Sequence, residues 1–190
     1  MTGAGHFGSP NEKHRGPKFQ EFDTEDAAVV YVKTYLQPFC CSLVREPVLK
    51  NGLRPDIGFR LDHAQLKDFP LVVEVKKFRS GGIAELAAAV RQAYSYTAVT
   101  GHIAVVGPIE ARGPTHLAWY ESPIGAIGLV AAQFSVGYLY VDRDRSGGIF
   151  IGGQAAVRFG ADGRLTVHSN AETLLRRKQF SGSATWREVA

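Results

Sequence analysis

The chain predicts an α/β (α+β) fold, and three stretches of sequence carry that expectation. Between Asp23 and Leu36, apolar residues at Val29, Val32 and Leu36 recur at the three-and-four spacing that gives a helix one buried stripe. Leu71 to Phe78 (LVVEVKKF) is β-branched, preceded by Pro70, and reads as a strand. A second helical stretch, Gly82 to Thr97, is followed by the apolar run Ile103 to Val106, which completes a βαβ-like unit with the strand before it.

In chain order, residues 1 to 18 combine Gly, Pro, Ser and charge with almost no apolar periodicity, as a flexible arm does. The helix Asp23 to Leu36 follows, with Asp23 as its expected cap and Pro38 as its stop. Ser42 to Leu49 and Leu53 to Leu61 flank Asn51-Gly52, a dipeptide that accepts positive φ and so predicts a tight hairpin with Asp56 inside its second arm. Pro55 cannot donate to a ladder and marks an edge, bulge or distorted point there. In Leu71 to Phe78, alternation sets Glu74 and Lys76 on one face and Val73, Val75 and Lys77 on the other. Gly81-Gly82 opens the next helix, which turns Leu86, Ala89, Val90 and Ala93 inward and closes at Gly101.

Beyond Pro108 the signals thin. Pro123 to Phe134 reads as a helix with Ile124, Ile127 and Val130 or Ala131 inward, and Tyr138 to Asp142 as a strand. Val157 to Phe159 and Leu165 to His168 flank a hairpin loop at Gly160-Ala161-Asp162-Gly163, and Asn170 to Arg177 suggests a terminal helix. Asp142 and Asp144 resemble metal ligands, but Arg143, Arg145 and Gly147-Gly148 make a polar turn the more economical account. Residues 19 to 190 are therefore expected to form a single domain, with a core over about 21 to 106 and a C-terminal elaboration over about 107 to 190.

Chemistry concentrates in the first half. Two residues along a strand span roughly 6.5 to 7 Å, so Glu74 can hold a metal while the Lys76 ammonium reaches the water or phosphate beside it. A hard cation such as Mg²⁺ prefers oxygen ligands and is usually held by one or two carboxylates, with waters and substrate phosphate completing its octahedron. Asp56 and Glu74 supply such a pair. The metal lowers the pKa of a bound water and stabilises charge on a scissile phosphate, and a nearby lysine orients the nucleophile or offsets that charge. The plainer alternatives are a turn residue at Asp56 and a solvated ladder at Glu74 and Lys76. The apolar flanks Leu71, Val72, Val73 and Val75 argue against the second, because unpaired charges are costly in a buried strand.

With Pro55-Asp56 as a first signature and Glu74-Val75-Lys76 as a second, the chain resembles the PD-(D/E)xK nuclease superfamily. The resemblance spans roughly residues 21 to 106 and implies a restriction-endonuclease-like αβββαβ core, a mixed central sheet flanked by helices. It implies Asp56, Glu74 and the backbone carbonyl of Val75 as ligands of Mg²⁺ or Mn²⁺, and Lys76 as the residue that positions or activates the water. A helix before the first strand often contributes an acid in this superfamily, a role for Glu25 with Glu21 as its rival. Gln92 and Tyr96, at i and i+4 on one helical face, look like the QxxxY element of its recombination-exonuclease branch and would orient substrate. The implied activity is phosphodiester hydrolysis in DNA during repair, recombination or mobile-element and phage DNA processing. RNA also fits as substrate, and a second copy or a recombination helicase as partner. A catalytically inactive nucleic-acid-binding or assembly module with the same fold is the alternative.

Composition sets the frame. At 190 residues and 45% hydrophobic content the chain has material for one packed core. The longest apolar stretch, Ile124 to Val136, is too short and too rich in glycine to span a bilayer, and no signal-peptide pattern opens the chain, so no membrane partner and a cytoplasmic location are expected. Cys40 and Cys41 are adjacent, a poor disulfide framework without zinc-ligand spacing, and the six histidines are scattered. Phosphate-cradling GxxxxGK[ST], GxSxG and internal repeats are missing, which removes the usual support for P-loop and serine-esterase chemistry. A net charge of +4 and a pI near 9.1 suit a polyanionic partner, with basic tracts at Lys13, His14, Arg15 and Lys18 and at Arg176, Arg177 and Lys178.

Overall fold

Eight strands join into one continuous mixed sheet in the computed structural model of the chain, which describes residues 22–76, 83–110, 131, 133–141, 146–152, 154–178 and Trp186. Helix α1 (Glu25–Leu36) precedes β1 (Cys40–Arg45), β2 (Ile57–Leu61) and β3 (Leu71–Val75), and α2 (Ile83–Thr100) leads into β4 (Ile103–Glu110). The chain continues through β5 (Gly137–Val141), β6 (Gly147–Ile151), β7 (Gln154–Phe159), β8 (Leu165–Val167) and α3 (Ala171–Lys178). The strands are ordered β1 to β8 across the sheet. The β1–β2 and β2–β3 pairs are antiparallel, β3–β4 and β4–β5 are parallel, and the rest are antiparallel. A parallel pair needs a long crossover, and α2 is the crossover between β3 and β4.

All five residues of β3 are buried, so both faces of this strand are covered. Leu71, Val73 and Val75 share a core with Ile57, Phe59 and Leu61 of β2 and with Ala28, Val29, Val32 and Leu36 of α1. Val72 points the other way, into a second cluster with Ala104 and Val106 of β4 and Ala89, Val90, Ala93 and Tyr96 of α2. The sheet curls, and Phe39, just before β1, meets Phe159 at the end of β7 with ring centroids 4.7 Å apart.

Several expectations need correction. Thr24, not Asp23, caps α1, its hydroxyl accepting the Ala27 N–H at 3.1 Å. Asn51-Gly52 does turn the chain, inside a short 3-10 turn with Gly52 at φ +76°. The ladder, however, closes farther out, at Arg45 opposite Ile57, and the Glu46 N–H donates to the Asp56 carbonyl at 2.9 Å. Pro47 and Pro55 have no N–H to extend the pairing inward. Asp56 therefore sits in a bend just before β2 rather than inside it. Strand β3 stops at Val75, and α2 runs to Thr100 before Gly101 ends it at φ +74°. Gly147 and Gly148 belong to β6 rather than to a turn. A Cβ on Gly147 would strike the Tyr35 hydroxyl and the Tyr140 carbonyl, so this strand needs glycine where propensity argues against a strand.

Residues 1–21 with Glu21 and the first basic tract, Lys77, the segment 120–130, and Asp142 to Arg145 lie outside the described residues, as do the side chains of Leu86, Arg176, Arg177 and Lys178. No helix among the described residues is long and apolar enough to cross a membrane.

Candidate active site

The C-terminal end of β3 brings four parts of the chain to one place. Alternation sends Glu74 to the α2 side of the sheet, where its carboxylate is only 1% exposed. Tyr96 of α2 donates its hydroxyl hydrogen to Glu74 Oε2 at 2.8 Å, and the carbonyl of Arg54 lies 3.3 Å from the same hydroxyl. Gln92, one helical turn earlier, donates Nε2–H to the Tyr96 hydroxyl oxygen at 2.9 Å. The pair expected from its i, i+4 spacing thus acts as a relay onto Glu74.

Lys76 lies one residue past the strand and closes the arrangement. Its Nζ is 2.8 Å from Glu74 Oε1 and 2.9 Å from Glu25 Oε1. Glu25 stands in the first turn of α1, where acids suit the helix dipole. The two contacts are unequal, because Glu25 is 49% exposed and its pair with Lys76 is screened by water, whereas Glu74 has no such screening. Beside Glu25, Asp26 pairs with Arg45 at the end of β1.

Asp56 reaches the same end of β3 from the opposite side of the hairpin. Its Oδ2 accepts the backbone N–H of Val75 at 2.6 Å, while its Oδ1 has no hydrogen bond among the described residues. Burial, and then the charge of Glu74, push its carboxyl up to about 6. Burial likewise raises Glu74, against the opposing hydrogen bonds from Lys76 and Tyr96. Burial pulls the Lys76 ammonium down, but its hydrogen bonds and charge contacts with Glu74 and Glu25 outweigh this and hold it above its ordinary value. The Tyr96 phenol is raised by burial and by the Glu74 charge, so it stays a donor.

The structure therefore brings Glu25, Asp56, Glu74, Lys76, Gln92 and Tyr96 into one connected neighbourhood. The Arg54 carbonyl is a participant that the sequence reading missed, and as a backbone acceptor it leaves no signal in residue type. Among the described residues no group of three or more His, Cys, Asp or Glu side chains is arranged as a metal centre. The donor set still fits a Mg²⁺-like ion, which is usually held by one or two carboxylates plus water. Asp56 Oδ1 is without a described partner, and each Glu74 oxygen accepts one described bond of the two it can take. The Glu74 charge that adds to burial in lifting Asp56 is what a cation held by the two carboxylates would offset. No protein-family model, no curated protein and no solved structure matches the chain.

Proposed function

We propose that the chain is a Mg²⁺- or Mn²⁺-dependent nuclease of the PD-(D/E)xK type that hydrolyses phosphodiester bonds in DNA. The observation that carries the reading is the Lys76 ammonium held between Glu74 and Glu25, at the strand end where Asp56 is fixed to Val75. The α-β-β-β-α-β order through β4, with an antiparallel three-strand unit and a parallel fourth strand, supports a restriction-endonuclease-like core.

Asp56 and Glu74 would hold the ion, with the Val75 carbonyl as a further ligand by resemblance. The chemistry Mg²⁺ supplies to such sites is Lewis-acid stabilisation of charge on the phosphate and a lowered pKa for a nucleophilic water. The remaining roles belong to the chain. Lys76, kept protonated by its two carboxylates, offers a fixed positive charge to the phosphate as negative charge grows on it. Glu25 holds Lys76 from the solvent side, and Tyr96 with Gln92 fixes the rotamer of Glu74 so that its free lone pairs keep one direction.

The test is cleavage of labelled single-stranded, duplex and branched DNA in Mg²⁺, Mn²⁺ or EDTA, beside the Lys76→Ala protein. Metal-dependent cutting that disappears in the variant supports the reading, and the preferred substrate separates a resolvase from an exonuclease. No cutting on any substrate, with salt-sensitive binding retained, would favour the inactive binding module instead.

A further inference from the structure

The loop between β1 and β2 lies over the α2 side of the sheet and sorts its side chains by polarity. Leu49 and Leu53 pack inward with Val72, Ala93 and Tyr96, while Lys50 and Arg54 are exposed. That four-residue spacing repeats an in-out pattern, leucine inward and cation outward. Among the described residues neither Lys50 nor Arg54 forms an ion pair. Arg54 stands at the catalytic end, two residues before Asp56, with its carbonyl against the Tyr96 hydroxyl.

Arg60 continues the row. Ile57, Phe59 and Leu61 of β2 face the α1 core, so Gly58 and Arg60 face the α2 side. Arg60 lies over the Trp186 ring, 5.2 Å from its centroid, and donates to the Lys67 carbonyl at 3.2 Å. Trp186 in turn lies against His102, with ring centroids 6.1 Å apart. A ring and a carbonyl thus fix a guanidinium on the sheet, and no carboxylate among the described residues pairs with it. His102 lies within the field of the same cations: burial, and then the charges of Arg60 and Lys50, push it down to about 4. Asp56 to Arg60 is about 13 Å along an extended strand, the reach of a few nucleotides.

We propose that Arg54, Lys50 and Arg60 form a phosphate-binding strip that carries a DNA strand away from the carboxylate site over the α2 side of β2. The proposal rests on the nuclease reading for the placement of the scissile end, but the strip itself is a binding surface. Two exposed cations without an ion pair among the described residues, continued by the half-buried guanidinium of Arg60, match a polyanion, and each phosphate they neutralise releases a counterion.

Binding is measured by anisotropy of a fluorescein-labelled oligothymidine, with Ca²⁺ in place of Mg²⁺, between about 50 and 200 mM salt. Lys50→Ala, Arg54→Ala and the double variant are compared with wild type and with Arg158→Ala, an exposed cation on β7 outside the strip. Each strip substitution is expected to lower the slope of log K against log salt by about 0.7, the double variant by about twice that, and Arg158→Ala not at all. Arg60→Gln, checked for its melting temperature because the side chain packs on Trp186, is expected to act like the other two. An unchanged slope in the double variant, or no binding by wild type, overturns the strip. Cleavage in Mg²⁺ is scored separately: cutting with an unchanged slope overturns the strip and leaves the nuclease reading standing, whereas a lowered slope without cutting supports the strip and removes the nuclease.

Discussion

The carboxylate of Asp56 accepts the backbone N–H of Val75 at 2.6 Å, so the residue just before β2 is tied to the last residue of β3. This bond fixes Asp56 beside Glu74 although both carboxyl groups are raised by burial and Glu74's charge lifts Asp56 further. The site holds negative charge that the metal-free fold does not neutralise.

Asp56→Asn should therefore stabilise the metal-free protein while abolishing cleavage. The fold disfavours ionised Asp56, so its stability cost is absent below the ordinary value of 3.8 and develops as pH rises through about 6. At neutral pH in EDTA the amide, which still accepts the Val75 N–H through its oxygen, should gain about 1–3 kcal/mol. Thermal melts in EDTA and in Mg²⁺ check this. Mg²⁺ should raise the melting temperature of wild type and leave the variant nearly unmoved; equal stabilisation of both proteins would rule Asp56 out as a ligand.

Lys76→Met should cost stability as well as activity. It leaves Glu74, 1% exposed, without its cation, a loss on the order of 3–5 kcal/mol for a buried pair. Adding Glu74→Gln should recover most of that loss, because the glutamine amide needs no counter-charge, yet cleavage should stay at background. Urea denaturation of the single and double variants separates the terms, and non-additivity is the expected signature of a direct pair. Additive losses would mean that the two groups do not depend on each other.

Tyr96→Phe removes the donor that orients Glu74 while keeping the ring in its cluster. Losing a partner behind a ligand typically costs 10- to 100-fold, so the turnover rate should fall by roughly that factor while oligonucleotide affinity in Ca²⁺ holds. Gln92→Ala acts one bond farther out on an exposed residue and should cost less. A larger effect at Gln92 than at Tyr96 would reverse the order of the relay and point to direct substrate contact by the glutamine.

The parts of this site that sequence made legible are those where side-chain identity and periodicity carry the information. Alternation placed Glu74 opposite Val73 and Val75, and the two core clusters are divided in that way. Helical spacing paired Gln92 with Tyr96, and their hydroxyl-amide bond follows it. The position of Glu25 against Lys76 depends on how α1 crosses the sheet end, which no local pattern encodes; only its type and helix position were readable. The β6 strand was hidden because its glycines answer to Tyr35, Tyr140 and Val157 contacts from elsewhere in the chain. Asp56 lies in a bend before β2 rather than in the strand because the ladder closes at Arg45 opposite Ile57, with Pro47 and Pro55 inside the closing loop, and not at Asn51-Gly52.

His102 should give the protein an acid limb of stability independent of the carboxylate site. The Thr100 hydroxyl donates to the Tyr96 carbonyl, so the 2.8 Å contact with His102 is made by Nδ1–H donating to Thr100 Oγ1. Nε2 is then the bare ring nitrogen, buried without a hydrogen-bond partner among the described residues. A proton added there would be buried and repelled by the charges of Arg60 and Lys50, which is why the ring is pushed from 6.5 down to about 4, by burial first. The fold favours the neutral ring, so its stabilising contribution is complete above 6.5 and is lost as pH falls toward 4. The loss should approach about 3 kcal/mol at the acid end. Denaturation midpoints followed from neutral pH downward should show this decline in wild type and a shallower one in His102→Gln, whose amide does not titrate. Parallel declines in the two proteins would assign the acid limb to carboxylates instead.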